Sequence, residues 1–443
     1  MDHALLSKEH ALEVADRAIA AARRAGCAAA VAVSAGAGLS VTVRKGEVET
    51  LEHHRDKSLA VTVYDGQRKG SASTSDFSPA AVDDTVAAAA AIARAAEPDA
   101  YAGLIDPALQ AHDYPDLDLD HPWSLQPDEA SRIALEAEAA ARGAHAEVQE
   151  VDESAVSRFQ GLRAYADSNG FRGAYVATRH GISCTVVAAR EGAMQRGYWY
   201  SMAREAARLE AASRVGLLAT ERAVAKLGAR KLSTRKAPVV LENRIATGFI
   251  GHLLSAISGG ALYRETSFLR GSAGTQIFPA FFNIEEQPHL ARSFGAAPFD
   301  AEGARTAPRT LVERGVLGGY LLDSYAARRL GLPSTGNAGG AHLLSVSDQG
   351  ADLPTLLRQM DTGVLVTDLM GFGVNLVTGD YSRGASGFWV ERGEIQHAVE
   401  EITIAGNLRE MFRTLVASGC DRETRGSVHC GSLLLAEMTI AGD

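Results

Sequence analysis

The stretch AAAVAVSAGAGLSVTVRKGEVETLEHHRDKSLAVTVYDGQRKGSAS, residues 28–73, decides the fold class. It holds three runs rich in Val, Leu and Thr, at 28–33, 39–51 and 58–73, and the last is broken by Asp65-Gly66, a hairpin dipeptide. Before it, Leu12, Ala15, Ile19 and Ala22 recur at helical spacing over 8–25, and Gly26 stands where a helix would stop. After it, Ser78-Pro79 supplies N-cap and N1 chemistry for a second helix, which runs to about residue 96 and is ended by Pro98. Helix, antiparallel meander, helix implies a sheet with helices on one face.

The same order recurs downstream. Residues 97–127 carry Pro107, Pro115, Pro122 and Pro127 with an acidic run over 113–120, and read as an exposed connection. A helix over 128–141 leads to strands at 147–157, 162–167, 174–178 and 182–189, with Ser168-Asn169-Gly170 as the clearest turn, and a long helix over about 203–227 follows. A pseudo-repeat is one reading, although no residue-level self-similarity supports it. After Ser233-Thr234 the texture changes: Val239-Val240-Leu241 reads as a short buried strand, 245–258 as an apolar helix, and short segments punctuated by glycine follow. Gly336-Asn337-Ala338-Gly339-Gly340, Gly371-Phe372-Gly373 and Gly384-Ala385-Ser386-Gly387 suggest tight turns or close backbone approach. Strands at 387–390, 402–404 and 432–438 lack helical crossovers between them. The expected fold is α+β in two domains, 1–232 and 233–443, each a mixed or antiparallel sheet with packed helices.

Composition limits function. At 443 residues, 46% hydrophobic and 22% charged, the chain is a globular protein of more than one small module. Lys and Arg number 44 against 54 Asp and Glu, a formal charge of -10, which is the wrong sign for neutralising nucleic-acid phosphates. Met1-Asp2-His3-Ala4 lacks a leader's basic start, and the alanine run from Val86 meets Arg94 before the ~20 residues a membrane span needs. The expectation is a cytoplasmic protein with no membrane contact. Cys27, Cys184, Cys420 and Cys430 show no C-x-x-C spacing and read as reduced thiols.

Metal-ion hydrolysis needs ligands converging on one ion, commonly two helix histidines a turn apart with a glutamate beside the first. None of the thirteen histidines is followed by Glu, and none has another His three to five positions on. His252, on the apolar helix, reads as a histidine satisfied by a nearby carbonyl or as a ligand among apolar neighbours. His429 and Cys430 would point to opposite faces of an extended strand, so Cys430 is a buried small hydrophobe or, with a bulge, a ligand. No G-x-S-x-G elbow occurs, Ser386 reads as a turn residue, and neither a P-loop nor a dinucleotide fingerprint is present. Asp380-Tyr381-Ser382-Arg383 reads as a turn with a surface salt bridge or as a cleft lining in which Arg383 orients a carbonyl or carboxylate. Tyr263-Arg264-Glu265-Thr266 poses the same choice.

Several stretches together resemble a known family: 251–259, Tyr263-Arg264, Pro298-Phe299-Asp300-Ala301-Glu302-Gly303, 334–340, 378–384 and 401–408. They are similar to the PmbA-type, or TldE-type, branch of the TldD/PmbA family, described as metallopeptidases and modulators of DNA gyrase. The resemblance implies two α+β domains and a cytoplasmic peptidase complex whose TldD-type subunit holds zinc through an H-E-x-x-x-H helix and a late C-G pair. Laid onto this chain, the first histidine falls at His252, the glutamate at Leu253, the second histidine at Ile257 and the C-G pair at Cys430-Gly431. Leu253 cannot activate water and Ile257 cannot bind metal, so no metal and no catalytic residue are expected here, zinc being expected in the TldD-type partner.

The implied role is a subunit pairing with that partner to cut peptides of the antibiotic-precursor or antitoxin type. Tyr263, Arg264, Gly336, Asn337, Gly339, Gly340, Asp380, Tyr381 and Arg383 are the candidates for the substrate or partner cleft. Two other readings stand: a noncatalytic homodimer that captures peptides, and a lone metallopeptidase using a ligand set such as His342, His429 and Cys430.

Overall fold

The computed structural model describes residues 5–442, so Met1-Asp2-His3-Ala4, where a leader was sought, lie outside the described residues. The N-terminal elements are α1 (Lys8–Arg24), β1 (Ala28–Arg44), β2 (Glu47–Asp65), β3 (Arg68–Thr74), α2 (Pro79–Ala95), α3 (Pro127–Gly143), β4 (Val148–Asp167), β5 (Arg172–Arg190), β6 (Ala193–Ala203) and α4 (Ala212–Ala225). Ser7 and Ser78 cap α1 and α2, their Oγ atoms accepting from His10 N and Ala81 N. The strands form one six-stranded sheet in the order β3-β2-β1-β4-β5-β6, antiparallel at every junction. All four helices cover one face: Val31, Val33, Leu59 and Leu162 lie under α1 and α2, and Leu39, Val41, Val156 and Val186 under α3 and α4. The other face meets 105–119 and C-terminal residues, with Tyr165, Phe171 and Phe299 packed together.

Helix, three strands, helix thus occurs twice, with β1 and β4 side by side at the centre. The halves match at a glycine. A Cβ on Gly70 of β3 would lie 2.2 Å from Ala89 O and 2.4 Å from Ala93 N of α2. A Cβ on Gly197 of β6 would lie 2.2 Å from Ala219 O and 2.4 Å from Ala223 N of α4. The two halves therefore use the same helix-on-strand contact, which is too close for any side chain.

Three expectations need correction. The strand read at 28–33 runs on through residue 44 as β1, residues 47–51 of the one read at 39–51 belong to β2 beyond the turn at Lys45-Gly46, and the four read over 147–189 are the long strands β4 and β5. Gly36 and Gly161 are not breaks: a Cβ on either would come within 2.9 Å of the Phe159 ring, so they make room for it. The helix expected from residue 203 begins at Ala212, because 193–203 alternates in burial and extends the sheet as β6. The connection over 97–127 is not simply exposed: Ile105, Leu117, Leu119 and Leu125 are buried, and Leu117 and Leu119 carbonyls accept from Arg292 N and Thr178 N.

The C-terminal elements are β7 (Arg235–Leu241), α5 (Asn243–Ala256), α6 (Gly259–Tyr263), β8 (Ile284–Glu286), β9 (Arg309–Glu313), β10 (Val316–Leu317), α7 (Ser324–Leu330), β11 (Leu344–Val346), α8 (Leu353–Met360), β12 (Gly363–Met370), β13 (Asp380–Glu391), β14 (Glu394–Asn407), α9 (Leu408–Arg413), β15 (Leu415–Ser418), β16 (Val428–His429) and β17 (Leu433–Ala441). The larger sheet runs β14-β13-β12-β7-β17-β15, with β7 and β12 parallel. β14 also pairs with β17 through Thr403–Ala441, Ile404–Ile440 and Ala405–Thr439, so β14, β13, β12, β7 and β17 close into a ring. Val239, Leu241, Val364, Val366 and Leu435 point to one side, against Leu253 of α5 and its C-cap Ile257, while Val240, Leu365 and Leu434 point to the other, under α8. A second sheet runs β10-β9-β8-β11-β16. The fold is α+β with antiparallel and mixed sheets, as its sequence implies. No described helix is long and apolar enough to cross a membrane.

Candidate cleft and the positions of a missing metal site

The apolar stripe Ala246, Phe249, Ile250, Leu253, Ala256 and Ile257 docks α5 on the large core. Ile257 N then bonds Leu253 O, and Ser258 caps α6. Gly259 lets α6 approach α7: a Cβ there would lie 2.4 Å from Ala326 Cβ. Where α5 turns into α6, a cleft of ≈ 820 Å³ opens, walled by Ser258–Ala261 and Arg264, by Asn337 and Gly339–Ala341, and by Val374–Val377. The last wall belongs to the hairpin between β12 and β13, on which Phe372 is fully exposed. Gly373 belongs to that hairpin by necessity, since a Cβ there would sit 1.9 Å from Ser382 O.

A buried polar network fixes the middle wall. Gly336 has φ +67, and a Cβ on it would lie 2.5 Å from Arg305 O, so only glycine fits. Asn337 Oδ1 accepts from Arg309 Nη2 (2.8 Å) and Thr335 Oγ1 (2.8 Å), while its Nδ2 donates to Glu286 Oε1 (2.7 Å) and Gly340 O (3.2 Å). Glu286 is fully buried and also accepts from Arg309 Nε (2.7 Å) and His342 N (2.8 Å). His342 Nε2 lies 2.8 Å from Gly336 O. Ala338 N donates to Asp300 Oδ2 (2.9 Å), and Asp300 Oδ1 accepts from Glu302 N and Ala304 N. Burial raises the Asp300 and Glu302 carboxyls above their ordinary range, against the hydrogen bonds each accepts.

The sequence candidates divide. Arg264, Asn337, Gly339 and Gly340 line the cleft, and Gly336 anchors their loop. Arg264 is exposed and donates to Tyr263 Oη at 3.1 Å. Tyr263 itself packs edge-on to Tyr325 and under Arg329, away from the cleft. Asp380, Tyr381 and Arg383 do not line it either. They lie in β13 rather than in a loop, and Gly384-Ala385-Ser386-Gly387 continue that strand instead of turning. The supposed salt bridge is absent: Asp380 accepts from Thr378 Oγ1 (2.6 Å) and Asn407 Nδ2 (3.2 Å), which lower its pKa, while strand alternation sends Arg383 to the other side. There Tyr381, buried and with its phenol pushed up to about 12, meets the His252 ring edge-on at 5.8 Å. His252 makes no hydrogen bond among the described residues, contrary to the carbonyl expected, and its pKa is lowered by burial and then by Arg383.

Leu253, Ile257 and Cys430 are fully buried in one apolar core, and α5 also packs against β16. Cys430 Sγ lies 3.2 Å from Gly431 O, and burial pushes its thiol well above the ordinary range. Gly431 is required because a Cβ there would stand 1.8 Å from Gly419 O. Among the described residues, no group of three or more His, Cys, Asp or Glu is placed to hold a metal ion, and His342, His429 and Cys430 are not brought together. The donor set does not fit zinc, which needs at least three converging donors and takes a cysteine only as its thiolate. Glu286 and Arg309, which hold the cleft loop, carry no signal in sequence; Asp300 and Glu302 were visible only as part of a resembling stretch.

Three family models, described as the PmbA/TldA metallopeptidase domain 1, central domain and C-terminal domain, match residues 29–93, 120–227 and 234–442. Metalloprotease PmbA of Escherichia coli O157:H7 is 48% identical over 414 residues, covering 94% of this chain and 92% of that protein. The PmbA homolog of Haemophilus influenzae is 46% identical, covering 96% and 95%. Among solved structures, one named modulator of DNA gyrase from Bacteroides thetaiotaomicron superposes with TM-score 0.92 at 28% identity, covering 97% of this chain and 98% of that one. TldE of Thermococcus kodakarensis shares the fold, with TM-score 0.84 at 19% identity over 97% and 100%.

Proposed function

Since this chain belongs to the PmbA/TldD metallopeptidase family, we propose that it is the noncatalytic subunit of a two-chain peptidase, paired with a TldD-type chain that carries the zinc. The observation that supports this is the burial of Leu253 and Ile257 where hydrolysis would require a general base and a nitrogen ligand. The raised thiol of Cys430 supports it further, because zinc binds the thiolate and this environment disfavours it.

In this reading the chain supplies one wall of a chamber for extended peptides. The Gly339 main chain and Leu376 N, which make no other hydrogen bond among the described residues, offer hydrogen bonds that ignore side-chain identity, and the Arg264 guanidinium is available for a peptide carbonyl or carboxylate. Unfolded or short peptides, of the antibiotic-precursor or antitoxin kind, are the substrates of such a chamber. The test is peptidase activity and zinc content of the purified chain alone and after mixing with a TldD-type chain. Hydrolysis confined to the mixture, with zinc in the TldD-type chain, is expected. One tightly held zinc per chain, or hydrolysis by this chain alone, overturns the reading.

A further inference from the structure

Strand β13 carries a cation without a counter-ion. Tyr381, Arg383 and Ala385 share one face of the strand, as alternate residues do, and Tyr381 and Ala385 are buried in the large core. Ile404, opposite Arg383 on β14, is buried there too. Arg383 makes no hydrogen bond and no ion pair among the described residues, and its Nε is buried without a partner. A guanidinium set among apolar neighbours, with nothing to accept from it, is an uncompensated charge. The nearest acid in sequence does not serve, because Asp380 lies on the opposite face and accepts from Thr378 and Asn407.

Two uncharged donors stand beside it. His252 meets the Tyr381 ring edge-on at 5.8 Å, and neither side chain makes a hydrogen bond among the described residues. Arg383 is the one charged group among them that acts on either ring, and burial keeps the imidazole and the phenol neutral at pH 7. The helix face that bears His252 has room beside it: a Cβ on Gly248 or Gly251 of α5 would meet no atom of another element within 4 Å. The cleft is adjacent, since Leu254 and Ser255 of α5 wall it and Val374, another wall residue, bridges to Tyr381. One full positive charge, two neutral donors and no acid acting on them describe the complement of a monoanion. A carboxylate brings one charge and two oxygens that can accept from all three, whereas a phosphate dianion would bring a second charge with nothing to balance it.

We infer that Arg383, Tyr381 and His252 bind the C-terminal carboxylate of a peptide whose chain lies in the neighbouring cleft, Arg383 supplying the charge and the two rings an O–H and an N–H donor. The inference rests on the reading of the cleft as a peptide site, but not on the division of labour between two chains. A site of this kind selects short peptides, and the free ends that hydrolysis leaves, over internal segments of long chains.

The experiment is calorimetric titration of the full chain with three peptides: acetyl-trialanyl-leucine as the free acid, the same peptide as its C-terminal amide, and acetyl-alanyl-glutamyl-alanyl-leucine amide, whose one carboxylate is internal. The free acid should bind about tenfold or more tighter than either amide. Arg383→Gln should abolish that preference, and Tyr381→Phe should reduce it. No binding of the free acid at millimolar concentration, equal binding of acid and amide, or an internal glutamate that substitutes for the free terminus overturns the inference. So does a preference that survives Arg383→Gln and disappears in Arg264→Gln, which would move the carboxylate to the exposed arginine of the cleft. If Arg383→Gln disturbs the strand, Tyr381→Phe still decides, because it removes only a hydroxyl: an undiminished preference there refutes the site. Turnover by the mixed complex is a separate measurement, and its absence would sink the two-chain peptidase while leaving a binding preference in this chain intact.

Discussion

Gly70 and Gly197 in the N-terminal sheet and Gly336 in the cleft loop all permit backbone to approach backbone, but the two regions hold those approaches differently. Around Gly70 and Gly197 the neighbours are alanines, and shape alone sets the distance. Gly336 stands against the backbone of Arg305 and Thr306, and Glu286, Arg309, Asn337 and Asp300 hold its loop there through buried charge and directed hydrogen bonds. Dense apolar packing tolerates pH and salt but not added volume. A buried polar network tolerates small changes of volume but not the loss of a partner.

The largest effect is expected from Glu286→Ala, which leaves the partly buried Arg309 guanidinium without its carboxylate and removes an acceptor from Asn337. A loss of about 3–5 kcal/mol in urea denaturation is expected, and a loss below about 1 kcal/mol would show that the loop does not depend on this pair. Gly70→Ala and Gly197→Ala should each cost about 1–3 kcal/mol by forcing α2 or α4 outward, with peptide turnover in the mixed complex unchanged. Markedly unequal costs would break the equivalence of the two N-terminal halves.

A pH profile sharpens the contrast. Asp300 and Glu302 have folded pKa values above their unfolded values of about 4. Their stabilising contribution is therefore complete below that pH and is lost as pH rises through the raised folded values. Glu302→Gln should flatten this part of a melting-temperature profile, and an unaltered slope would remove Glu302 from the account. The smallest stability effect belongs to Arg264→Ala, within about 0.5 kcal/mol because the side chain is exposed. Its peptide turnover with a TldD-type chain should nevertheless fall, and unchanged turnover would deny Arg264 a place in substrate binding.

The same contrast explains what was legible in the sequence. Helices with an apolar stripe and a cap, such as α1, α2 and α5, declare themselves because period and punctuation are local. β6 was hidden because its edge position leaves only Gly197, Ser201 and Ala203 buried, a faint alternation. In the site, Gly339 and Gly340 fall on the loop that walls the cleft, and their need is written in the backbone. Asp380, Tyr381 and Arg383 were misplaced because Gly384 and Gly387 look like turn residues. A Cβ on Gly387 would in fact lie 1.9 Å from Leu365 O of the neighbouring strand. Glu286 and Arg309 stand 23 residues apart in the chain, and nothing local announces that they meet.

The ring of strands in the C-terminal unit carries a consequence for biosynthesis. β7 has as its two neighbours β12 and β17, and the rungs that seal the ring come from 439–441. The N-terminal sheet is complete once α4 has left the ribosome, and it can consolidate while translation continues. The ring must wait for residues 439–441, with Val239, Val240 and Leu241 in need of shelter for some two hundred residues of synthesis. Nascent-chain chaperones should therefore engage the interval after residue 235 far more than the one before it.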